Sequence, residues 1–220
     1  MYVIYCFLIF LSGISALIYQ VVWSRLFAGV FGVTAYAVTA VLVTFLGGLA
    51  LGALILGKKA DYTSKPLQFF GKLEIGTVAA SLFGVWLLGV LDPLHMFLAN
   101  QLEPASAALM VVRMLLASLV LFPSTFLMGG TLPAIVRVSI NDLRQIGNRL
   151  SLLYALNTLG ALTGSLIAGF LLIRLYGLHV TVIIAAGLNA AVGMAAFLLA
   201  LKQQKASVLN MGLLIQKKGH

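Results

Sequence analysis

Residues 48–57 read GLALGALILG and residues 160–169 read GALTGSLIAG. Both stretches have glycine at the first, fifth and tenth positions, and both carry a leucine–isoleucine pair between the last two glycines. Small residues four apart lie on one face of a helix and let two backbones approach closely in lipid, where apolar burial does not drive helices together. The two stretches therefore predict closely packed membrane helices.

Small residues recur on three of the predicted helices. The glycines that we expect to pack against neighbouring helices are Gly48, Gly52, Gly57, Gly76, Gly84, Gly160, Gly164 and Gly169. Because the two matching stretches lie in corresponding helices of two three-helix halves, the match predicts an inverted three-plus-three repeat. A chance likeness between glycine-rich membrane helices is the alternative.

The composition excludes an ordinary soluble domain. Of the 220 residues 62% are hydrophobic and 9% are charged, against about 25% charged in typical soluble proteins. The net charge of +9 comes from basic residues that fall between apolar segments, which is typical of membrane topology signals. We therefore expect the lipid bilayer, and no nucleic acid, as a partner.

Six apolar stretches are long enough to cross a hydrocarbon core about 30 Å thick. They cover residues 3–24, 34–57, 72–91, 106–128, 150–174 and 178–201. The sequence thus predicts an all-α integral membrane domain over residues 1–201 and a basic cytoplasmic tail over residues 202–220. The first stretch has no basic region before it, so we expect a retained helix and no signal peptide.

Lysine and arginine set the expected orientation, because they are retained on the cytoplasmic side. They are concentrated in three places: Lys58, Lys59, Lys65 and Lys72 in the second connection, Arg137, Arg144 and Arg149 in the fourth, and Lys202, Lys205, Lys217 and Lys218 in the tail. Both termini are predicted to be cytoplasmic, in a bacterial inner membrane. Apolar residues at helical spacing from Val136 to Leu150 further predict a helix on the membrane surface.

Four stretches carry a family resemblance: residues 12–38, 47–61, 122–137 and 153–178, with MGGTLP and YALNTLGA as the most specific strings. They resemble the membrane domain of spermidine synthase-like membrane proteins, which is itself similar to one half of a major facilitator superfamily transporter. In that family a soluble aminopropyltransferase domain commonly follows. The residues after the sixth stretch contain no glycine-rich turn, so the resemblance does not carry the enzyme activity to this chain.

Polar residues inside a membrane are costly and are therefore candidates for function. The candidates are Tyr19, Gln20, Arg25, Arg113, Tyr154 and Asn157. Tyr19, Gln20, Trp23 and Arg25 are expected as one cluster near the outer end of the first helix, where an aromatic belt and a snorkelling arginine are the alternative. In the family that this chain resembles, the position of Gln20 is often glutamate. Because glutamine cannot take up a proton there, the substitution argues against a proton-coupled mechanism.

Arg113 lies inside the fourth predicted helix and needs a partner. The candidates are Asp92, Glu103, Gln20, a carbonyl group and an anionic ligand. The alternative is that its side chain snorkels to the headgroups. Asn157 with Tyr154, and also Asn189, can hydrogen-bond across helices for roughly 0.6 kcal/mol each.

No catalytic centre is predicted. The carboxylates Asp61, Glu74, Asp92, Glu103 and Asp142 are assigned to the connections or their edges, and no cluster has metal-ligand spacing. We therefore expect no enzyme, no cofactor and no metal.

Three functions remain. The first is a noncatalytic subunit or scaffold that packs laterally against other membrane proteins, which the lack of acids well inside the helices favours. The second is a half-size transporter that acts as a homodimer on an anionic or neutral small molecule. The third is a membrane anchor for a separate spermidine synthase-like enzyme.

The predicted orientation is testable by protease mapping of sealed vesicles. Inside-out vesicles should be cleaved at the lysine-rich second connection, and right-side-out vesicles should be protected there. Cleavage from the outer face would contradict the assignment.

Overall fold

The computed structural model describes residues 1–32, 35–101, 106–140 and 146–218, without the side chains of residues 36, 37, 107 and 206–218. Within these ranges 96% of the residues are helical and none lies in a strand. The elements are α1 (Tyr2–Phe31), α2 (Ala35–Tyr62), α3 (Pro66–Gln101), α4 (Ala107–Gly129), α5 (Thr131–Ser139), α6 (Ile146–Leu166), a π-helical segment (Ile167–Leu172) and α7 (Ile173–Lys218).

Five helical stretches in the described ranges are long and apolar enough to cross a membrane: Tyr2–Phe31, Val38–Tyr62, Pro66–Gln101, Ala108–Ser139 and Ile146–Lys205. The fifth is not one continuous helix. Gly177 has φ 74° and ψ 178°, which is outside helical geometry and is a conformation that glycine adopts without a steric cost.

α1 and α6 lie side by side and run in the same direction. A Cβ added at Gly160 would overlap the carbonyl of Phe10, and a Cβ at Gly164 would overlap the carbonyl of Ile14, one turn further along both helices. Gly13 makes the reciprocal approach to the backbone of α6. The backbones are therefore in direct contact at three glycines.

The part of α7 after Gly177 runs against α1. Ser15 bonds to Asn189, while Tyr5, earlier in α1, accepts a hydrogen bond from Gln203, later in α7. Because α6 runs with α1 and this part of α7 runs against it, the chain reverses at Gly177.

α2 and α4 form a second close pair. Cβ atoms added at Gly48 and Gly52 would overlap Thr125 and the carbonyl of Phe126. Gly129 approaches the backbone of α2 in return. A Cβ added at Gly130 would meet the side chains of Leu56 in α2 and Leu73 in α3.

The other predicted packing glycines differ from one another. A Cβ at Gly84 would lie 2.9 Å from the carbonyl oxygen of Val120, and Cβ atoms at Gly57 and Gly76 would meet side chains at 3.3 and 3.2 Å. Gly169 has no atom within 4 Å of its added Cβ. Within the described part of the chain, Gly169, which lies in the π-helical segment, therefore does not make the close helix contact that we expected.

Large apolar side chains cover the outside of the bundle. Trp86 is 61% exposed and Phe170 is 75% exposed, and they belong to a set that continues along α2, α3, α4, α6 and α7 and includes the start of α1. Monomeric soluble proteins rarely expose contiguous apolar surface of this kind. The helices are thus consistent with an integral membrane protein whose outer surface is covered by lipid.

Two boundaries differ from the sequence prediction. α3 begins at Pro66 and extends to Gln101, well beyond the predicted residues 72–91. The expected continuous surface helix from Val136 to Leu150 is interrupted, because Ile140 has extended backbone (φ −103°, ψ 108°) and α5 ends before it. Residues 141–145 of this stretch lie outside the described residues. α5 is also buried, with Ala134 and Ile135 fully enclosed, so its apolar face packs on the bundle.

We predict that Gly160→Ala destabilises the protein by about 1–3 kcal/mol, because the new methyl group must displace backbone rather than a flexible side chain. Gly169→Ala, which enters open space, should change stability by less than about 0.5 kcal/mol. Thermal unfolding of both variants in detergent measures the difference. Equal losses would contradict the backbone contact between α1 and α6.

Candidate functional site

Glu74 lies inside the bundle, in the third turn of α3, and is fully buried. Ser12 Oγ of α1 donates a hydrogen bond to Glu74 Oε1 at 2.6 Å. The expectation that every carboxylate lies at a connection is therefore wrong for Glu74. α3 begins eight residues before this position, and the rise of 1.5 Å per residue carries Glu74 about 12 Å along the axis from the helix start.

Two matching polar stripes line the interface between α1 and α3. On α1 they are residues 12, 15 and 19, and on α3 residues 74, 77 and 81, so each set has the i, i+3, i+7 spacing of one helix face. All six side chains, Ser12, Ser15, Tyr19, Glu74, Thr77 and Ser81, are buried. The structure thus places a polar strip inside an otherwise apolar bundle.

Several atoms of this strip lack a hydrogen-bond partner among the described residues. They are Glu74 Oε2, Thr77 Oγ1, Ser81 Oγ and the hydroxyl of Tyr19. Most buried polar atoms in proteins are paired, and one left unpaired costs about 1–3 kcal/mol. The hydroxyls of Tyr19 and Ser81 lie close enough to interact with each other, so Glu74 Oε2 and Thr77 Oγ1 are the atoms at which a ligand, an ion or water would complete the structure.

α7 contributes the third side of this site. Ser15 Oγ donates to Asn189 Oδ1, and both side chains are buried. This contact confirms the predicted cross-helix hydrogen bond of Asn189. Gly193, one turn later, would place an added Cβ 3.2 Å from the Cβ of Glu74, so α3 and α7 cross closely beside the carboxyl group.

A cavity of about 270 Å³ lies between the α1–α6 pair and the α2–α4 pair. Residues from all seven α-helices line it, and its polar lining consists of Ser12, Glu74, Thr131, Tyr154, Asn157 and Asn189. Tyr154 is 61% exposed, so it stands at the open edge, whereas Glu74 and Asn189 form the floor. We call this space the cleft.

The structure brings some of the predicted site residues together and separates others. Tyr154 and Asn157 both line the cleft. Tyr19 points inward to the polar strip, Arg25 is exposed, and Gln20 is half-buried. The expected single cluster at the outer end of α1 is therefore wrong, because α1 continues to Phe31 and the helical turn directs these side chains to different faces.

Arg113 does not line the cleft. Arg113 lies close enough to His95 to interact with it electrostatically. Asp92, one of the partners expected for Arg113, also interacts with His95. His95 is 3% exposed, with its ring centroid 4.8 Å from that of Phe31. Glu103, another expected partner, lies outside the described residues. Arg113 thus belongs to a separate group near the far end of α3.

Basic residues from the second connection, the fourth connection and the tail share one end of the bundle. A groove of about 1370 Å³ joins Met1, Lys65, Arg137, Arg149 and Lys205. Arg149 stacks on the ring of Tyr2 at 4.9 Å, which ties the start of α1 to the start of α6. Among the described residues, no group of three or more His, Cys, Asp or Glu side chains could hold a metal ion.

No protein-family model, curated protein or solved structure matches this chain.

We predict that Ser12→Ala lowers the free energy of unfolding by about 1–3 kcal/mol, since it leaves Glu74 buried with neither oxygen bonded. Ser165→Ala is the matched control: this serine bonds only to its own helix, at Leu162, and its loss should cost less than about 0.5 kcal/mol. Thermal unfolding in detergent compares the two. If Ser12→Ala were as stable as the control, Glu74 would have another source of stabilisation.

Proposed function

We propose that this protein is a half-size membrane transporter whose functional unit is a homodimer. The observation that carries the proposal is the cleft, which has a polar floor formed by Glu74 and Asn189 and an open edge at Tyr154. Transporters place their substrate sites near the middle of the membrane at the interface of structural repeats. A cleft on one side of a six-helix unit fits half of such a site.

The helix contacts support a six-pass unit built as an inverted three-plus-three repeat. In such a repeat, α1 is equivalent to α4, α2 to α6, and α3 to the part of α7 after Gly177. The exchange of equivalent helices converts the α1–α6 pair into the α4–α2 pair. It also converts the α3–α4 contact into the α7–α1 contact and leaves the α3–α7 contact unchanged. The set of principal contacts is therefore preserved, as the repeat requires. The reversal at Gly177 supports counting α6 and α7 as separate spans.

The groove at the basic end supports the proposed orientation. The start of α1 and basic residues from three parts of the sequence border the same groove. Because basic segments are retained in the cytoplasm, this arrangement favours a cytoplasmic location for both termini, in an inner membrane.

The location of Glu74 changes the balance between the functions considered from the sequence. The scaffold hypothesis was preferred because no acid was expected well inside a helix, and that argument fails for Glu74. Arg113 is absent from the cleft lining, so the reason for an anionic substrate is also lost. We propose a small polar solute that is neutral or cationic.

The size of the cleft fits a shared site. Its 270 Å³ lies just below the range of about 300–1,000 Å³ that is typical of ligand pockets. A two-fold dimer with two clefts face to face would enclose about twice the volume of one cleft, which lies within that range. The open edge at Tyr154 would then lie against the partner copy.

Lateral docking in a larger complex remains the second candidate. One observation favours it: Gly89, Gly169 and Gly187 have open space where a Cβ would stand, so they leave shallow surfaces on the outside of the bundle. Small residues on such surfaces permit close contact with other membrane helices. The anchor hypothesis rests on the family resemblance alone.

Cross-linking tests the dimer. In a Cys6→Ser background, we expect Tyr154→Cys to form a covalent dimer with a short bis-maleimide, because this side chain borders the cleft. Trp86→Cys, equally exposed but on the outer face of α3, is the control and should stay monomeric. A cross-linked product with different, co-purifying proteins, and none between copies, would favour the scaffold.

Uptake into reconstituted vesicles tests transport. With a panel of neutral and cationic polar solutes, Asn157→Ala should reduce the uptake of a transported solute by about tenfold, as expected for the loss of about 1.4 kcal/mol of interaction in a polar site. Asn148→Ala changes an exposed asparagine at the start of α6 and should leave uptake unchanged. If the unaltered protein takes up none of these solutes, transport is excluded for the panel tested.

A further inference from the structure

The floor of the cleft has an uncompensated acid. Glu74 is the one acidic residue among the described residues that line the cleft, and none of the others is lysine, arginine or histidine. One of its oxygens accepts from Ser12, and the other is buried without a partner. An isolated buried carboxylate is very costly unless it is paired, takes up a proton or coordinates a cation.

Uncharged oxygen donors lie on the three helices around this acid. Thr77 lies three residues after Glu74 on the same face of α3; it is not among the residues that line the cleft, and its hydroxyl is buried without a partner among the described residues. Ser12 and Asn189 contribute a second hydroxyl and an amide oxygen from two other helices, and both line the cleft with Glu74. Oxygen donors of this kind suit hard cations rather than the transition metals that prefer nitrogen and sulfur.

The single negative charge determines the valence of the ion. Dedicated divalent-cation sites gather several carboxylates, because each ion must be dehydrated and its charge offset. This site has one carboxylate and neutral oxygens, so one monovalent cation makes it electrically neutral. A proton on Glu74 would also neutralise the acid, but it predicts no difference between sodium and choline, so the measurement below distinguishes the two.

We propose that Glu74, Ser12, Thr77 and Asn189 form a binding site for a sodium ion at the floor of the cleft. The cleft gives the ion a route to the site, and the contact of Ser15 with Asn189 holds the amide group of α7 in place. If the protein transports a solute, as proposed above, this ion is positioned to couple solute movement to the sodium gradient. The binding site itself does not depend on that function.

Sodium binding is measurable on the purified protein in detergent, without any solute. At constant ionic strength and pH, the unfolding temperature should rise saturably as sodium chloride replaces choline chloride, because a ligand that binds only the folded state stabilises it. Potassium chloride should give a smaller rise. Equal unfolding temperatures in sodium and choline would overturn the proposal.

Two variants locate the ion. Glu74→Gln keeps the size of the side chain and an oxygen that accepts from Ser12, and it should remove the sodium response. Asp61→Asn removes an exposed acid at the end of α2 and should keep the full response. A sodium response in Glu74→Gln as large as in the unaltered protein would overturn the assignment.

Thr77→Val keeps the test decisive if Glu74→Gln fails to fold. Valine has the shape of threonine without the oxygen ligand, so the apparent dissociation constant for sodium should rise by about tenfold or more. An unchanged constant would exclude Thr77 as a ligand and contradict the site as drawn. Sodium binding without uptake of any solute in the panel would support the ion site and contradict the transport proposal. Uptake that does not depend on sodium, without sodium binding, would support transport and contradict the ion site.

Discussion

Direct contact between helix backbones at glycines is the constraint on which this structure depends. Apolar side chains gain nothing by leaving lipid for the protein interior, so helices in a membrane are held by close packing and by interhelical hydrogen bonds. Gly160 and Gly164 bring α6 onto α1, and Gly48 and Gly52 bring α2 onto α4. Each pair approaches so closely that no side chain fits between its members.

The cleft follows from this pairing. Glycines occupy the contact between α1 and α6, so the larger side chains of these two helices lie on their other faces. Between the two pairs the contacts are sparse. The space is bordered by small or polar side chains such as Ala16 and Asn157 and by large apolar ones such as Phe45 and Met128. α3 and α7 close the space from behind, and the close approach of Gly193 to Glu74 brings the polar residues of both helices to its floor. Tight contact in two places thus leaves an open site in a third.

The sequence predicts the character of the fold more completely than the site. Apolar length indicates the long helices, and glycine spacing indicates most of the close contacts, because both are local properties of the chain. Glu74 shows where this reasoning fails. The predicted apolar stretch begins at Lys72, two residues before Glu74, which puts the acid at the predicted edge of a helix, whereas α3 begins at Pro66. The spacing of Glu74, Thr77 and Ser81 was the available signal, because their alignment with Ser12, Ser15 and Tyr19 is visible in the sequence. Which helix faces another depends on tertiary packing, which periodicity does not report.

The crossing of α3 and α7 explains why the site carries a single charge. On the proposed repeat these two helices occupy equivalent places, and each presents one buried polar side chain to a serine of α1: Glu74 to Ser12, and Asn189 to Ser15. An acid at both positions would place two carboxylates together in a medium where like charges repel strongly. An amide at both would leave no charge to attract a cation. One acid and one amide supply a single negative charge together with uncharged oxygen ligands. The two helices that the repeat makes equivalent therefore differ in the one side chain that each presents to α1.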